Sequence, residues 1–246
     1  MTAPQGWAPP PPGEYPPPQW TPQPPPRKNN AVLFVVLGLV AALVVGVAVV
    51  VVLVVRGTGD SAKVSADARQ PKAKHRGHAL VLGDGDVTVE LYADYICPAC
   101  QAFDSVSGYT LVKAVEKNEI TLLVTPLAML DARSTSKYST RAAAAAVCAA
   151  DGGRFLEYHQ TLMSHMPAEN SKGLSDSELV SLGSDDGLGS AFEKCVTEHR
   201  YDTWVTEGTD KASGKGVTSV PDIRIDGDKV AEWRTFDDAL DRAIKD

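Results

Sequence analysis

The sequence predicts an α/β protein: a sheet domain interrupted by a helical insertion, preceded by a disordered proline-rich tail and one transmembrane helix. Three observations predict it. An apolar run over residues 31–55 divides a proline-rich beginning from everything that follows. A β-branched run, Val87 to Tyr92, is followed by a helical pattern and a second apolar run, Ile120 to Val124, which gives strand, helix, strand. From Ser136 to about residue 200 the periodicity is helical, and strand patterning returns only at Ile223.

Residues 1–30 come first. Twelve of the 17 prolines fall within residues 1–26, with Trp7, Tyr15 and Trp20 between them and almost no charge. Such a segment buries too little apolar surface to offset the entropy of ordering, so it is expected to be extended and disordered. Residues 31–55 are uncharged and rich in valine and leucine. As a helix they would run about 37 Å, longer than the ~30 Å hydrocarbon core, and they exceed the usual length of a cleavable signal's apolar region. Residues 56–77 read as a polar tether, reaching about 25 Å if it behaves as a flexible coil.

Charge divides along the same line. Residues 1–77 carry eight Lys/Arg against three Asp/Glu, and residues 78–246 carry 16 against 28. The acidic globular part argues against nucleic-acid binding. Arg27 and Lys28 precede the apolar run, while Arg56, Lys63, Arg69, Lys72 and Lys74 follow it. That count alone puts the domain in the cytosol. Long domains cross largely regardless of charge, however, and all four cysteines lie in the globular part, which suits an oxidising compartment. The expectation is a single-pass protein of the cell membrane with its domain extracytoplasmic.

The domain is expected to begin near His78 and run to residue 246. Ala79 to Leu82 reads as a short strand, Gly83 to Asp86 as a turn, and Val87 to Tyr92 as the central strand. A helix opening at Cys97 should run to about Lys117, with a break near Gly108, and Ile120 to Val124 should lie parallel to the central strand. The insertion, about residues 136–200, starts with the alanine-dense Ser139 to Ala150 and is broken at Asp151-Gly152-Gly153. Phe155, Tyr158, His159, Leu162 and Met163 then recur at helical spacing before Pro167. Ser175 with Glu178 outlines a capping box, and helices follow over Leu188 to His199 and Tyr201 to Lys211. Ile223 to Asp226 and Lys229 to Trp233 should pair as a hairpin, with Phe236 to Ile244 as a closing helix.

The chemistry lies in Cys97-Pro98-Ala99-Cys100. Thiolate is the reactive form of cysteine, and a helix N-terminus offers unpaired N–H groups and the positive end of the macrodipole. Cys97 is therefore the expected nucleophile, with Cys100 one turn on as its partner. Pro98 at the first helical turn loses nothing, because its missing N–H would have been unpaired there. Zinc asks for four Cys/His ligands, and the histidines at 75, 78, 159, 165 and 199 are scattered. Two thiolates suffice for Cu(I), so a copper-carrier reading stays open, as does an inert disulfide. Asp94, three residues before Cys97, is either a turn residue or a group that tunes the thiol. Cys148 and Cys195, both inside the insertion, read as a structural disulfide, with two buried free thiols as the alternative.

The Cys-Pro-Ala-Cys motif after a strand, together with Val220-Pro221 before a strand-like Asp-Ile-Arg-Ile-Asp, resembles the DsbA family of thioredoxin-fold thiol–disulfide oxidoreductases over residues 78–246. The resemblance implies a thioredoxin-like fold with a helical insertion. It also implies a cis Val220–Pro221 bond facing the Cys97/Cys100 redox-active disulfide, and no cofactor. The family's best-studied members carry histidine where this chain has Ala99. The implied activity is oxidation of reduced secreted proteins, with a membrane quinone-linked partner for reoxidation. The same motif run in reverse gives a reductase, for example in cytochrome maturation or redox defence.

Overall fold

The computed structural model describes residues 70–245. The expected tail, the expected span at 31–55 and the tether up to residue 69 lie outside the described residues. Among the described residues, no helix is long and apolar enough to cross a membrane.

Six strands form one sheet in the order β1-β2-β4-β3-β5-β6. β3 (Val87–Ala93) is central, parallel to β4 (Ile120–Pro126) and antiparallel to β5 (Asp222–Ile225). Its period of two sends Val89, Leu91 and Ala93, each at most 3 % exposed, into the main core, while Glu90 and Tyr92 take the opposite face. β2 (Ala79–Leu82) pairs antiparallel with the far side of β4.

α1 (Pro98–Glu116) joins β3 to β4 and is continuous. The break expected at Gly108 does not occur. A Cβ there would come within 2.7 Å of the Asp104 carboxylate one turn earlier, so glycine makes room for a packed side chain rather than interrupting the helix.

Five helices lie between β4 and β5: α2 (Tyr138–Asp151), α3 (Phe155–Ser164), α4 (Asp176–Asp185), α5 (Ser190–Thr197) and α6 (Asp202–Gly214). The last of them matches the helix expected over Tyr201 to Lys211, so the insertion extends to Gly214 and not only to the limit near residue 200 set for it. α2 is the hub on which α3, α5 and α6 pack. Its run Ala142–Ala149 is buried throughout, because methyl-sized side chains let neighbouring helices approach closely. α4 carries the capping box: the Ser175 Oγ accepts from the Glu178 N–H, and the Ser175 N–H donates to the Glu178 carboxylate at 2.7 Å. A disulfide between Cys148 on α2 and Cys195 on α5 closes a sequence separation of 47.

Two expectations at the edges are corrected. Ordered structure begins ahead of His78. β1 (His75–Arg76) pairs with β2, and the Lys72 and Ala73 N–H groups donate to the Asp151 carboxylate at 2.7 and 3.0 Å, with the Tyr201 hydroxyl on its other oxygen. A two-residue edge strand in a lysine-rich stretch carries too little apolar pattern to be read. At the other end, the strand expected over Lys229–Trp233 shrinks to β6 (Asp228–Lys229), and Trp233–Thr235 is a 3-10 turn ahead of α7 (Phe236–Lys245). The chain leaves the sheet there because the Trp233 ring packs edge-on against Phe103 of α1, with centroids 6.3 Å apart.

Candidate active site: a dithiol at the start of a helix

β3 ends at Ala93, and three residues carry the chain to Cys97, the N-cap of α1. Cys97 is extended (φ −90°, ψ 112°) and its sulfur takes the place of the usual capping oxygen, accepting from the Cys100 N–H at 3.3 Å. Pro98 occupies the first helical position, as expected. Both cysteines are free thiols, Cys97 4 % exposed and Cys100 1 %. Pro98 is exposed and Ala99 half-buried, so access to the pair is narrow and falls to Cys97.

The two thiols differ in acidity. The hydrogen bond from the Cys100 thiol, aided by the N–H groups of Cys100 and Ala99, brings Cys97 down to about 7 against the opposing effects of burial and the Asp94 charge. Burial, the hydrogen bond to Cys97 and its negative charge push Cys100 far above the ordinary thiol range. One sulfur is a thiolate near neutrality, and the other holds its proton.

The Val220–Pro221 peptide is cis, as the resemblance implied. The Val220 carbonyl lies 3.5 Å from the Cys97 sulfur, so this loop and the dithiol form one site although 123 residues separate them. The next residue, Asp222, is fully buried and held by Arg224 Nε at 2.9 Å and Lys229 Nζ at 2.6 Å, which ties the loop to β5 and β6.

Asp94 is no solvent-facing turn residue. It is fully buried, and it accepts from the Ile96 N–H at 3.1 Å, the Leu130 N–H at 2.8 Å and the Ser139 hydroxyl at 2.7 Å. Burial pushes its carboxyl up to about 6, the three donors offsetting only part of the penalty. Its carboxylate thus joins the active-site turn to the loop after β4 and to α2.

Sequence reasoning missed a second buried link. The Tyr95 hydroxyl is hydrogen-bonded to His159 Nδ1 at 2.9 Å, and His159 Nε2 faces the Asp104 carboxylate at 3.4 Å. Gln101 adds a hydrogen bond to the Met163 carbonyl at 2.8 Å. The helical spacing of Phe155, Tyr158 and His159 marked His159 as facing inward, but nothing in sequence connects it to Tyr95. Cys148 and Cys195 lie in the insertion and take no part in this site. Among the described residues, no group of three or more His, Cys, Asp or Glu side chains is arranged to hold a metal ion.

Fold and site together define the class of thiol–disulfide oxidoreductases. A family model described as Thioredoxin matches residues 76–246, and the chain belongs to that family. Similar solved structures include oxidised DsbA of Mycobacterium tuberculosis (26 % identity, TM-score 0.61, covering 68 % of this chain and 93 % of that one). Reduced DsbG of the same organism is similar at 25 % identity and TM-score 0.62, over 74 % of this chain and 92 % of that one. MdbA, a thiol-disulfide oxidoreductase from Corynebacterium diphtheriae, shares the fold at 23 % identity and TM-score 0.60, over 72 % of this chain and 98 % of that one. Among curated protein sequences, none matches.

Proposed function

We propose that this chain is a membrane-tethered, extracytoplasmic thiol–disulfide oxidoreductase that forms disulfides in secreted proteins. The observation that carries the reading is the split between the two thiols, Cys97 lowered to about 7 and Cys100 held protonated.

In the oxidised enzyme a client thiolate attacks the Cys97 sulfur. The Cys97–Cys100 bond breaks, a client–Cys97 mixed disulfide forms, and Cys100 leaves and takes up a proton. A second client thiolate attacks the client sulfur of that mixed disulfide and expels Cys97 as a thiolate. The client has lost two electrons and gained a disulfide, and the enzyme holds the pair as Cys97 thiolate and Cys100 thiol. A lower thiol pKa makes Cys97 the better leaving group and stabilises the reduced enzyme, which favours this direction. The Val220 carbonyl beside Cys97 offers an acceptor to an extended client backbone. Reoxidation falls to a quinone-linked partner in the membrane.

Ala99 supports a second reading, a reductase. Without a histidine at that position Cys97 loses one source of thiolate stabilisation, which moves the couple toward a more reducing potential. A Cu(I) carrier is less well supported, since it asks for two thiolates and burial holds Cys100 protonated.

Measuring the reduction potential of the Cys97/Cys100 couple tests the assignment. A value well above that of thioredoxin, about −270 mV, fits the oxidase, and one near it fits the reductase. Cys97→Ser should abolish oxidation of a reduced test protein, and Cys100→Ala should accumulate mixed disulfides on non-reducing gels. Full activity in the first variant would remove Cys97 from its role.

A further inference from the structure

On the sheet face opposite the main core, a groove of about 630 Å³ opens between the β1–β2 turn and α6, floored by β3 and β4. At one end the walls meet: a Cβ on Gly208 would stand 2.9 Å from the His78 Cβ. From there the groove is lined by Arg76, His78, Glu90, Tyr92, Lys211 and Lys215.

Its charge runs against that of the domain. Residues 78–246 carry 16 basic side chains against 28 acidic ones, so carboxylate partners are in excess. Yet Arg76, Lys211 and Lys215 form no ion pair among the described residues. They face one anion in the lining, Glu90, which already accepts from the Tyr92 hydroxyl at 2.8 Å. His78 adds a buried Nε2 with no hydrogen-bond partner, the Glu207 carboxylate standing 3.6 Å away. Burial, and then the Lys211 charge, hold His78 below its ordinary value, so it meets the groove as a neutral ring.

A small buried cluster connects one wall of the groove to the loop beside the dithiol. Tyr92 lines the groove and packs with Val217, and Val220 packs on the same small apolar cluster. The Val220 carbonyl is in turn the atom 3.5 Å from the Cys97 sulfur. Tyr92 of the groove and Val220 of the loop beside Cys97 thus belong to one packed cluster, which sets the basic groove next to the cis-proline loop.

We propose that this groove binds an acidic stretch of the client polypeptide flanking its reacting cysteine, with Arg76, Lys211 and Lys215 as the residues that select it. The proposal rests on the oxidoreductase reading and narrows its substrate class. No new bond is made in the groove; its contribution is charge complementarity, which raises the encounter rate and fixes the register of the client.

The test uses the oxidised full chain in detergent and three dithiol peptides that differ only in flanking residues, acidic, neutral or basic. The acid-flanked peptide should be oxidised about tenfold faster than the neutral one at low salt, with the ratio collapsing toward one at high ionic strength. R76Q/K211Q/K215Q, with its fold checked by circular dichroism and the single K215Q alongside, should bring the ratio to about one at every salt concentration. Cysteine-free versions of the peptides, read by fluorescence anisotropy, should follow the same order of binding. A ratio near one in the unaltered chain overturns the proposal, as does a ratio that survives the triple substitution. It is equally overturned if the substitution abolishes binding to phosphatidylserine vesicles and leaves the peptide ratio intact, since the groove would then serve a lipid surface. If no peptide is oxidised but the anisotropy order holds, the oxidoreductase reading fails and the groove assignment stands.

Discussion

Asp94→Asn separates two effects of one buried carboxylate. Burial lifts Asp94 from 3.8 to about 6. That shift of about two pH units corresponds to a cost of about 3 kcal/mol for keeping the group ionised in the folded protein. Because the folded-state value lies above the unfolded one, the cost is absent below about pH 4 and complete above about pH 6. Asparagine cannot ionise and never incurs it. In acid, protonated Asp94 turns one donor toward partners that themselves donate, Ile96, Leu130 and Ser139, a mismatch that the amide shares, so the two proteins begin nearly level. The variant should then gain about 3 kcal/mol over the parent between pH 4 and pH 7. Urea unfolding of the reduced proteins across that range measures the difference. The second effect is on the neighbouring thiol: the Asp94 charge opposes ionisation of Cys97, so the variant's Cys97 should titrate below about 7. The pH dependence of iodoacetamide alkylation reads it. A stability difference that stays constant with pH, or a Cys97 midpoint that rises, would refute the argument.

Removing the insertion's disulfide by Cys148→Ala with Cys195→Ala frees a loop of 47 residues' separation. The chain-entropy relation gives about 4 kcal/mol of lost stability, or about 8 to 16 °C in Tm, measured by thermal unfolding, and a loss under about 1 kcal/mol would show the bridge to be energetically idle. Tyr95→Phe deletes one hydroxyl and leaves His159 Nδ1 buried without its partner, which should cost about 1–3 kcal/mol in chemical denaturation. An unchanged midpoint would mean that water satisfies the imidazole.

What could be read in advance follows from how far each signal extends along the chain. The strand Val87–Ala93, the cap at Cys97 and the proline at the first helical position are local, and local chemistry placed them correctly. The cis loop became legible only through resemblance, because nothing near Val220 in sequence points 123 residues back to Cys97. Asp94 was visible as a residue but not as a buried one, since its three donors come from a loop, a helix start and its own turn. Gly108 misled for a physical reason: glycine in a helix can make room for a neighbouring side chain as well as break the backbone, and the sequence does not separate the two. The same limit applies at Trp233, where a tertiary aromatic contact overrode a strand pattern.

The clamp at Asp151 decides where mechanical load enters the molecule. A pull arriving from the N-terminal side reaches Lys72 and Ala73 first and is handed through their two N–H groups to the C-terminal end of α2. That end lies one turn from Cys148, whose covalent bond to Cys195 spreads the strain across two helices. The edge strand β1 and the redox turn both follow this fastening along the chain, so the segment that enters the sheet is tied to the helical layer before it pairs with β2.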